Sequence, residues 1–303
     1  MATECFIPRQ FSGGSLAIIE AANRIIDEYQ AQGFTLTLRQ AYYQFVSRGL
    51  LANKQTEYKR LGSILNDARL AGLIDWDAIE DRTRNVRTVS SWDDPSEIIK
   101  SAAQSYKEDL WKGQKYRVEV WIEKDALLGV IEPACNRWRL PYYACRGYSS
   151  QSEQYRAGKR FAEWQENGQR PIVFHLGDHD PSGIDMTRDN SDRLEMFAER
   201  AIPVERLALN MDQVRRYNPP PNPAKESDGR AAGYIERFGR SSWELDALDP
   251  RVIDQLIENA VRKRISLDLW NASKQEEQEN RDLIKQASSE WSAIVKMLAR
   301  KKT

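Results

Sequence analysis

Two short apolar runs that close on acids constrain this chain most. Val118 to Ile122 leads directly into Glu123, and Pro171 to Leu176 leads through Gly177 into Asp178 and Asp180. Both runs are rich in Val, Ile and aromatic residues and end in polar or turn residues, which predicts buried strands over 118–123 and 172–177. Segments of helical period separate and follow them, near 126–138, 151–166 and 183–199, with further strands near 141–146 and 204–209. Alternating strands and helices imply parallel βαβ units with right-handed crossovers, so the acidic strand ends should share one edge of the sheet. Ligands of open parallel sheets bind at that edge. Glu123, Asp178 and Asp180 would then supply oxygen ligands alone, a set that suits Mg²⁺, with Mn²⁺ as a substitute. Asp178-x-Asp180 is a weak signal by itself. Its pairing with a strand-end glutamate earlier in the chain makes it a metal-site expectation, and Mg²⁺ held this way usually serves phosphate chemistry.

Composition removes several other classes. The chain has 303 residues, 41% hydrophobic and 30% charged, enough apolar surface for one large or two ordinary domains and too much for wholesale disorder. No apolar stretch reaches membrane-span length, and the N-terminus lacks a signal-peptide pattern, so an intracellular, cytoplasmic protein with no membrane partner is expected. Three cysteines make no disulfide framework, and two histidines exclude a zinc site built on several imidazoles. With a formal net charge of zero, any nucleic-acid binding must come from local patches.

Ahead of the sheet, helical spacing predicts helices over 14–31, 37–48 and 57–71, with Thr37 as an N-cap and Gly49 and Gly72 as stops. The trio resembles a winged-helix unit, although a plain helical bundle fits the pattern equally. Residues 75–95 read as a linker or wing; Arg82 and Arg84 there would touch DNA phosphates or line a solvated loop. A helix over 96–112 leads into the first acidic strand. Beyond the sheet, 217–233 is too proline-rich for regular structure and reads as a long loop, and 251–300 reads as two helices. The expected architecture is α/β. A winged-helix-like domain spans 1–95, a Rossmann-like parallel-sheet domain 96–215, and a proline-rich loop with a helical extension 216–303.

Two further groups bear on chemistry. Arg39 lies one helical turn before Tyr43, on the same face, where it would polarise a phosphate or lower the phenol pKa and favour tyrosine as a nucleophile. Ordinary packing also accounts for a Tyr42-Tyr43 pair. Lys124 either reaches a phosphate or pairs with Asp125. Arg146, Arg156, Lys159 and Arg160 either hold a nucleic-acid backbone or form a charged helix face.

Taken together, Glu123-Lys124-Asp125 and Gly177-Asp178-His179-Asp180-Pro181-Ser182-Gly183 resemble the Toprim domain, in the form found in the topoisomerase VI A subunit and its meiotic double-strand-break relative. Arg39-Gln40-Ala41-Tyr42-Tyr43 resembles the catalytic tyrosine motif of the winged-helix domain that precedes Toprim in that family. The resemblance covers roughly residues 30–210 and points to a reduced relative, phage-borne forms included. It implies that Tyr43 attacks double-stranded DNA to form a 5′-phosphotyrosyl link, that Arg39 assists at the phosphate, and that Glu123, Asp178 and Asp180 hold Mg²⁺. It also implies a homodimer in which the tyrosine of one subunit works with the acids of the other. A separate ATPase subunit completes the family's enzyme, and this sequence has no Gly-rich ATP loop of its own. Two other readings stand: a Toprim endonuclease that hydrolyses DNA with metal-activated water, and a DNA-binding protein without catalysis. A Toprim primase fits less well, because no zinc-binding cysteine set is present.

Overall fold

The computed structural model describes residues 3–80 and 91–300 and is mixed α/β, with a four-stranded parallel sheet. Arg82 and Arg84 lie outside the described residues.

Three helices open the chain: α1 (Gly13–Gln30), α2 (Leu38–Ser47) and α3 (Gln55–Leu70). Thr37 caps α2 in a reciprocal box with Gln40, which fixes where the helix starts and which way its side chains face. The apolar stripes of α1, α2 and α3 enclose one core containing Ile25, Tyr29, Phe45, Leu61 and Leu65.

The sheet is built from β1 (Tyr116–Ile122), β2 (Tyr142–Ala144), β3 (Arg170–Leu176) and β4 (Val204–Ala208), in the order β2-β1-β3-β4. Helices α5 (Leu128–Trp138), α6 (Gln151–Glu166) and α7 (Pro181–Ala198) make the crossovers. The second crossover carries the chain from β2 past β1 to β3. The strand order therefore reverses between β1 and β3, and that switch point is where an open parallel sheet leaves a crevice. Glu123 follows one of these strands and Asp178 the other. Under the sheet, Trp121, Phe161, Val173 and Leu194 form a buried cluster.

The later chain departs from the sequence expectation. Helix α8 (Met211–Tyr217) follows β4, started by an Asn210–Gln213 capping box. The proline-rich stretch ends in β5 (Asn222–Pro223), which pairs antiparallel with β6 (Ser241–Ser242). Between them lies α9 (Ala231–Phe238), where a loop was expected to run on to Gly233. Good helix formers, Ala231, Ala232, Glu236 and Arg237, outweigh Gly233, and the helix buries Ala231 and Tyr234; the last proline of the stretch, Pro223, lies eight positions earlier. Then come α10 (Pro250–Arg262), α11 (Leu267–Ser289) and α12 (Trp291–Arg300), three helices in place of two. The break falls after serines, where the Ser289 hydroxyl donates to the Gln286 carbonyl and competes with the helix ladder.

By contacts, the described residues of Met1–Arg84 and Val118–Lys263 form one compact unit, and those of Asn85–Arg117 and Arg264–Thr303 form another. In the second unit α4 (Pro95–Ser105), shorter than the expected 96–112, belongs with α11. Here Glu277, buried, accepts the Glu108 amide at 2.8 Å, and Trp111 meets Trp270 edge to face. The candidate site lies wholly within the first unit.

Candidate functional site

The loop after β3 is shaped by close backbone approach. A Cβ at Gly183 would lie 2.2 Å from the Asp178 carbonyl oxygen, and one at Gly177 would lie 2.9 Å from Glu123 Oε2. Only glycine fits at 183, where the clash is with backbone, while a Cβ at 177 would push the Glu123 carboxylate aside; the turn Gly177 to Gly183 thus folds tightly enough to bring both aspartates back over the sheet edge. Asp180 caps α7, accepting from the Gly183 amide at 2.6 Å and the Ser182 hydroxyl at 2.9 Å. Glu123 Oε2 accepts the Asp178 amide at 2.8 Å, which ties the end of β1 to the end of β3.

Arg206, on β4 and half-buried, holds the turn from below. Its guanidinium donates to the carbonyls of Gly177 (2.9 Å), Asp178 (2.5 Å) and Gly183 (2.8 Å). Burial pushes its pKa down to about 10 against the pull of Glu123 and Asp178, which leaves it charged at neutral pH. Both histidines are structural. His175 meets the Thr187 hydroxyl and is pushed down to about 3 by burial; His179 meets the Tyr234 hydroxyl and is pushed down to about 4.

Above the turn sits a cavity of about 320 Å³ lined by Glu123, Lys124, Asp178 and Asp180 from the sheet edge, by Arg39 from α2, and by Glu244. Beside it, a pocket of about 260 Å³ is lined by Tyr43 and again by Arg39, Asn222 and Glu244. Both proposed motifs therefore meet around shared residues.

Electrostatics explain the arrangement. Lys124 Nζ lies 2.8 Å from Asp178 Oδ2, 3.2 Å from Glu244 and 3.6 Å from Asp246. Burial alone would lower its pKa, but Asp178, Asp246 and Glu244 outweigh burial and raise it. Arg39 pairs with Glu244 and lies 2.9 Å from Asp246. Glu244 thus bridges the two cations, which hold its carboxyl below the usual range against the effect of burial. Asp246 is almost fully buried, and neither of its oxygens accepts a hydrogen bond of sound geometry, so the two cations alone compensate it. Glu123 is pushed up to about 7, first by burial and then by the charge of Asp178.

The tyrosine pair divides its labour. The Tyr42 hydroxyl is taken by the backbone, accepting the Lys54 amide at 2.8 Å and reaching the Ala52 carbonyl at 3.1 Å. Tyr43 is instead buried in the helical core and lines the pocket together with Arg39 and Asn222. Its phenol is pushed up to about 12, by burial and then by Glu244, with Arg39 opposing. Arg39 acts in the expected direction, but burial and an acid absent from the sequence expectation win.

The basic run does not form a free cationic face. Arg146 pairs with Asp125, Arg156 with Glu153 and Lys159 with Glu199, while Arg160 donates to the buried Glu119 at 2.8 Å. Lys124 turns away from Asp125 to the acids across the cavity.

Among the described residues no three His, Cys, Asp or Glu side chains are gathered as a metal-binding group. Asp180 is engaged in capping and Asp178 in its lysine pair. The donor chemistry still suits a hard cation, since the carboxylates of Glu123, Asp178, Asp180 and Glu244 all line the cavity.

Sequence reasoning missed Asn222, Glu244, Asp246 and Arg206. The first three come from the segment taken as an unassigned loop and extension. The backbone of Trp243 bridges His179, and the Leu245 amide donates to Asp178 Oδ1 at 2.8 Å. No family model matches the chain, and no curated protein matches it either.

Proposed function

We propose that this chain is a Mg²⁺-dependent DNA-cleaving enzyme of winged-helix plus Toprim type that acts by tyrosyl transfer, as its resemblance to the topoisomerase VI A subunit implies. One observation carries the reading: Tyr43 and Arg39 share their surroundings with Lys124, Glu123 and Asp178, although 135 positions separate Tyr43 from Asp178. Core packing accounts for a buried Tyr43, but it does not call for the cations and acids that line two cavities sharing Arg39, Asn222 and Glu244.

In the proposed reaction a DNA phosphodiester enters the cavity and displaces the Glu244 carboxylate from Arg39 and Lys124. Tyr43 Oη attacks phosphorus. An Oη–P bond forms and the P–O3′ bond breaks, the phenolic proton passes to solvent, and the 3′-oxygen takes a proton to leave as a 3′-hydroxyl. One ester replaces another, so the step is reversible. Arg39 and Lys124 neutralise charge on the non-bridging oxygens, with the greatest effect in the transition state. Glu123, Asp178 and Asp180 would hold Mg²⁺, or Mn²⁺ in its place, with Lys124 released from Asp178. The ion when bound supplies charge stabilisation at the phosphate and at the leaving oxygen.

A second reading, hydrolysis by a Toprim endonuclease with activated water, is favoured by the phenol of Tyr43 standing near 12. The two separate in one experiment. Labelled DNA is incubated with protein and Mg²⁺, then denatured and digested. Label retained on wild type but not on Tyr43→Phe supports tyrosyl transfer. Free ends from both support hydrolysis. No cutting by either, with or without candidate ATPase subunits, supports a binding-only role.

A further inference from the structure

We infer that Lys225 is the cation that first receives the DNA phosphate at this cavity, ahead of Arg39 and Lys124, whose charges are already engaged with acids. The inference rests on the reading of the cavity as a phosphodiester site, and it holds whichever chain supplies the tyrosine.

Among the described residues, three cationic side chains line the cavity: Arg39, Lys124 and Lys225. Arg39 pairs with Glu244 and Asp246, and Lys124 with Asp178, Glu244 and Asp246. Lys225 is exposed and has no ion pair among the described residues. The acids nearest to it in the chain are committed elsewhere: Glu226 pairs with Arg240 at 2.6 Å, and Asp228 with Arg230 at 2.7 Å. Glu123, Asp178, Asp180 and Glu244 line the same cavity. These acids outnumber the two paired cations, so without Lys225 an approaching phosphate would meet repulsion.

Lys225 leaves the chain at a fixed point. The β5–β6 pairing sets Asn222 against Ser242 and Pro223 against Ser241, and the Ala224 amide donates to the Arg240 carbonyl at 2.9 Å. One turn later the Asp228 amide donates to the Lys225 carbonyl at 3.1 Å. The backbone is therefore held on both sides of Lys225, while its long side chain stays free to reach. A lysine suits that duty, because a flexible point charge can take a phosphate before the planar fork of Arg39 has to release Glu244. The exchange then runs in steps. Phosphate held at Lys225 brings a second negative charge towards Glu244, loosens that carboxylate from Arg39 and Lys124, and passes to them.

The test separates binding from chemistry. Wild type, Lys225→Gln and Lys225→Arg are compared, with circular dichroism to check that each is folded. Binding of a short DNA duplex is followed by fluorescence anisotropy in chelator over a salt series. Adduct formation with Mg²⁺ is followed by single-turnover kinetics over a range of protein concentrations. Lys225→Gln should bind roughly fivefold to tenfold more weakly at low salt, with a slope of log affinity against log salt smaller by about 0.9, the share of one phosphate contact. Its adduct rate should need correspondingly more protein to reach half its maximum, while the maximal rate stays within about twofold of wild type. Lys225→Arg keeps the charge and should restore the salt slope. Unchanged affinity and slope in Lys225→Gln overturn the inference, and leave the tyrosyl-transfer reading intact where wild type forms adduct. A reduced slope in Lys225→Gln with no adduct from wild type supports Lys225 as a phosphate contact and overturns tyrosyl transfer instead.

Discussion

The ammonium of Lys124 lies 2.8 Å from Asp178 Oδ2, on the carboxylate that the sequence assigns to a metal ion. A lysine there does what a cation would do, compensating a buried acid. Lysine and metal therefore compete, and removing the lysine should make the protein depend on the ion. Lys124→Met is expected to lose on the order of 3 kcal/mol of stability in chelator, since it breaks a largely buried pair. Saturating Mg²⁺ should restore much of that loss through binding to the folded state alone. Thermal melts with and without Mg²⁺ check this; equal losses in both conditions contradict the metal assignment.

Glu123 sets a pH dependence. Its folded pKa, pushed up to about 7, stands above its unfolded value near 4.5. The folded state then binds more protons between these values, so stability falls as pH rises from about 4.5 to about 7. At most about 3 kcal/mol is at stake, before allowance for relaxation around the site. Melts in chelator should show the decline, and Glu123→Gln should flatten it. An unchanged slope in that variant would assign the effect elsewhere.

Glu244 bridges Arg39 and Lys124 where a phosphate would lie, and it raises the Tyr43 pKa. Glu244→Gln should tighten DNA binding roughly threefold to tenfold at low salt, by removing a competing charge. It should also shift the pH–rate profile for adduct formation to lower pH. Fluorescence anisotropy and single-turnover rates across pH measure the two effects; weaker binding with an unmoved profile would make Glu244 a structural anchor only.

Gly183 tests the turn. The Cβ of Gly183→Ala would collide with the Asp178 carbonyl, so a loss of about 2–4 kcal/mol is expected, with activity lost as the aspartates shift. Gly14→Ala, in open space on α1, should be neutral or slightly stabilising. Comparable melting temperatures for the two variants would refute the packing argument.

Local pattern carried much of this protein, and contact across the chain carried the rest. The strands ending at Glu123 and Asp178 were legible because continuous apolar runs bounded by turn residues have few alternatives. Thr37 and Gln40 announced the start of α2, and so fixed that Arg39 and Tyr43 share a face. The Asn210–Gln213 box carries the same local signal for the start of α8. Glu244 and Asp246 gave no such signal: an acid in an irregular segment looks like solvent-facing charge until the segment is seen crossing from β6 to the helical core. Arg160 shows the same limit: its buried partner, Glu119, stands 41 positions away. Pairing partners far apart in sequence have no period, so no local pattern could reveal them.

The most direct measurement locates the covalent bond. Adduct formed by wild-type protein is trapped by denaturation, the DNA trimmed by nuclease, and the protein cut with trypsin. The peptide Gln40 to Arg48 carries both tyrosines of the pair, and fragmentation separates them. Nucleotide mass on Tyr43, with Tyr42 unmodified, is the predicted result, since the Tyr42 hydroxyl is spent on the backbone. Nucleotide on Tyr42, or DNA cut with no modified peptide, would contradict the account.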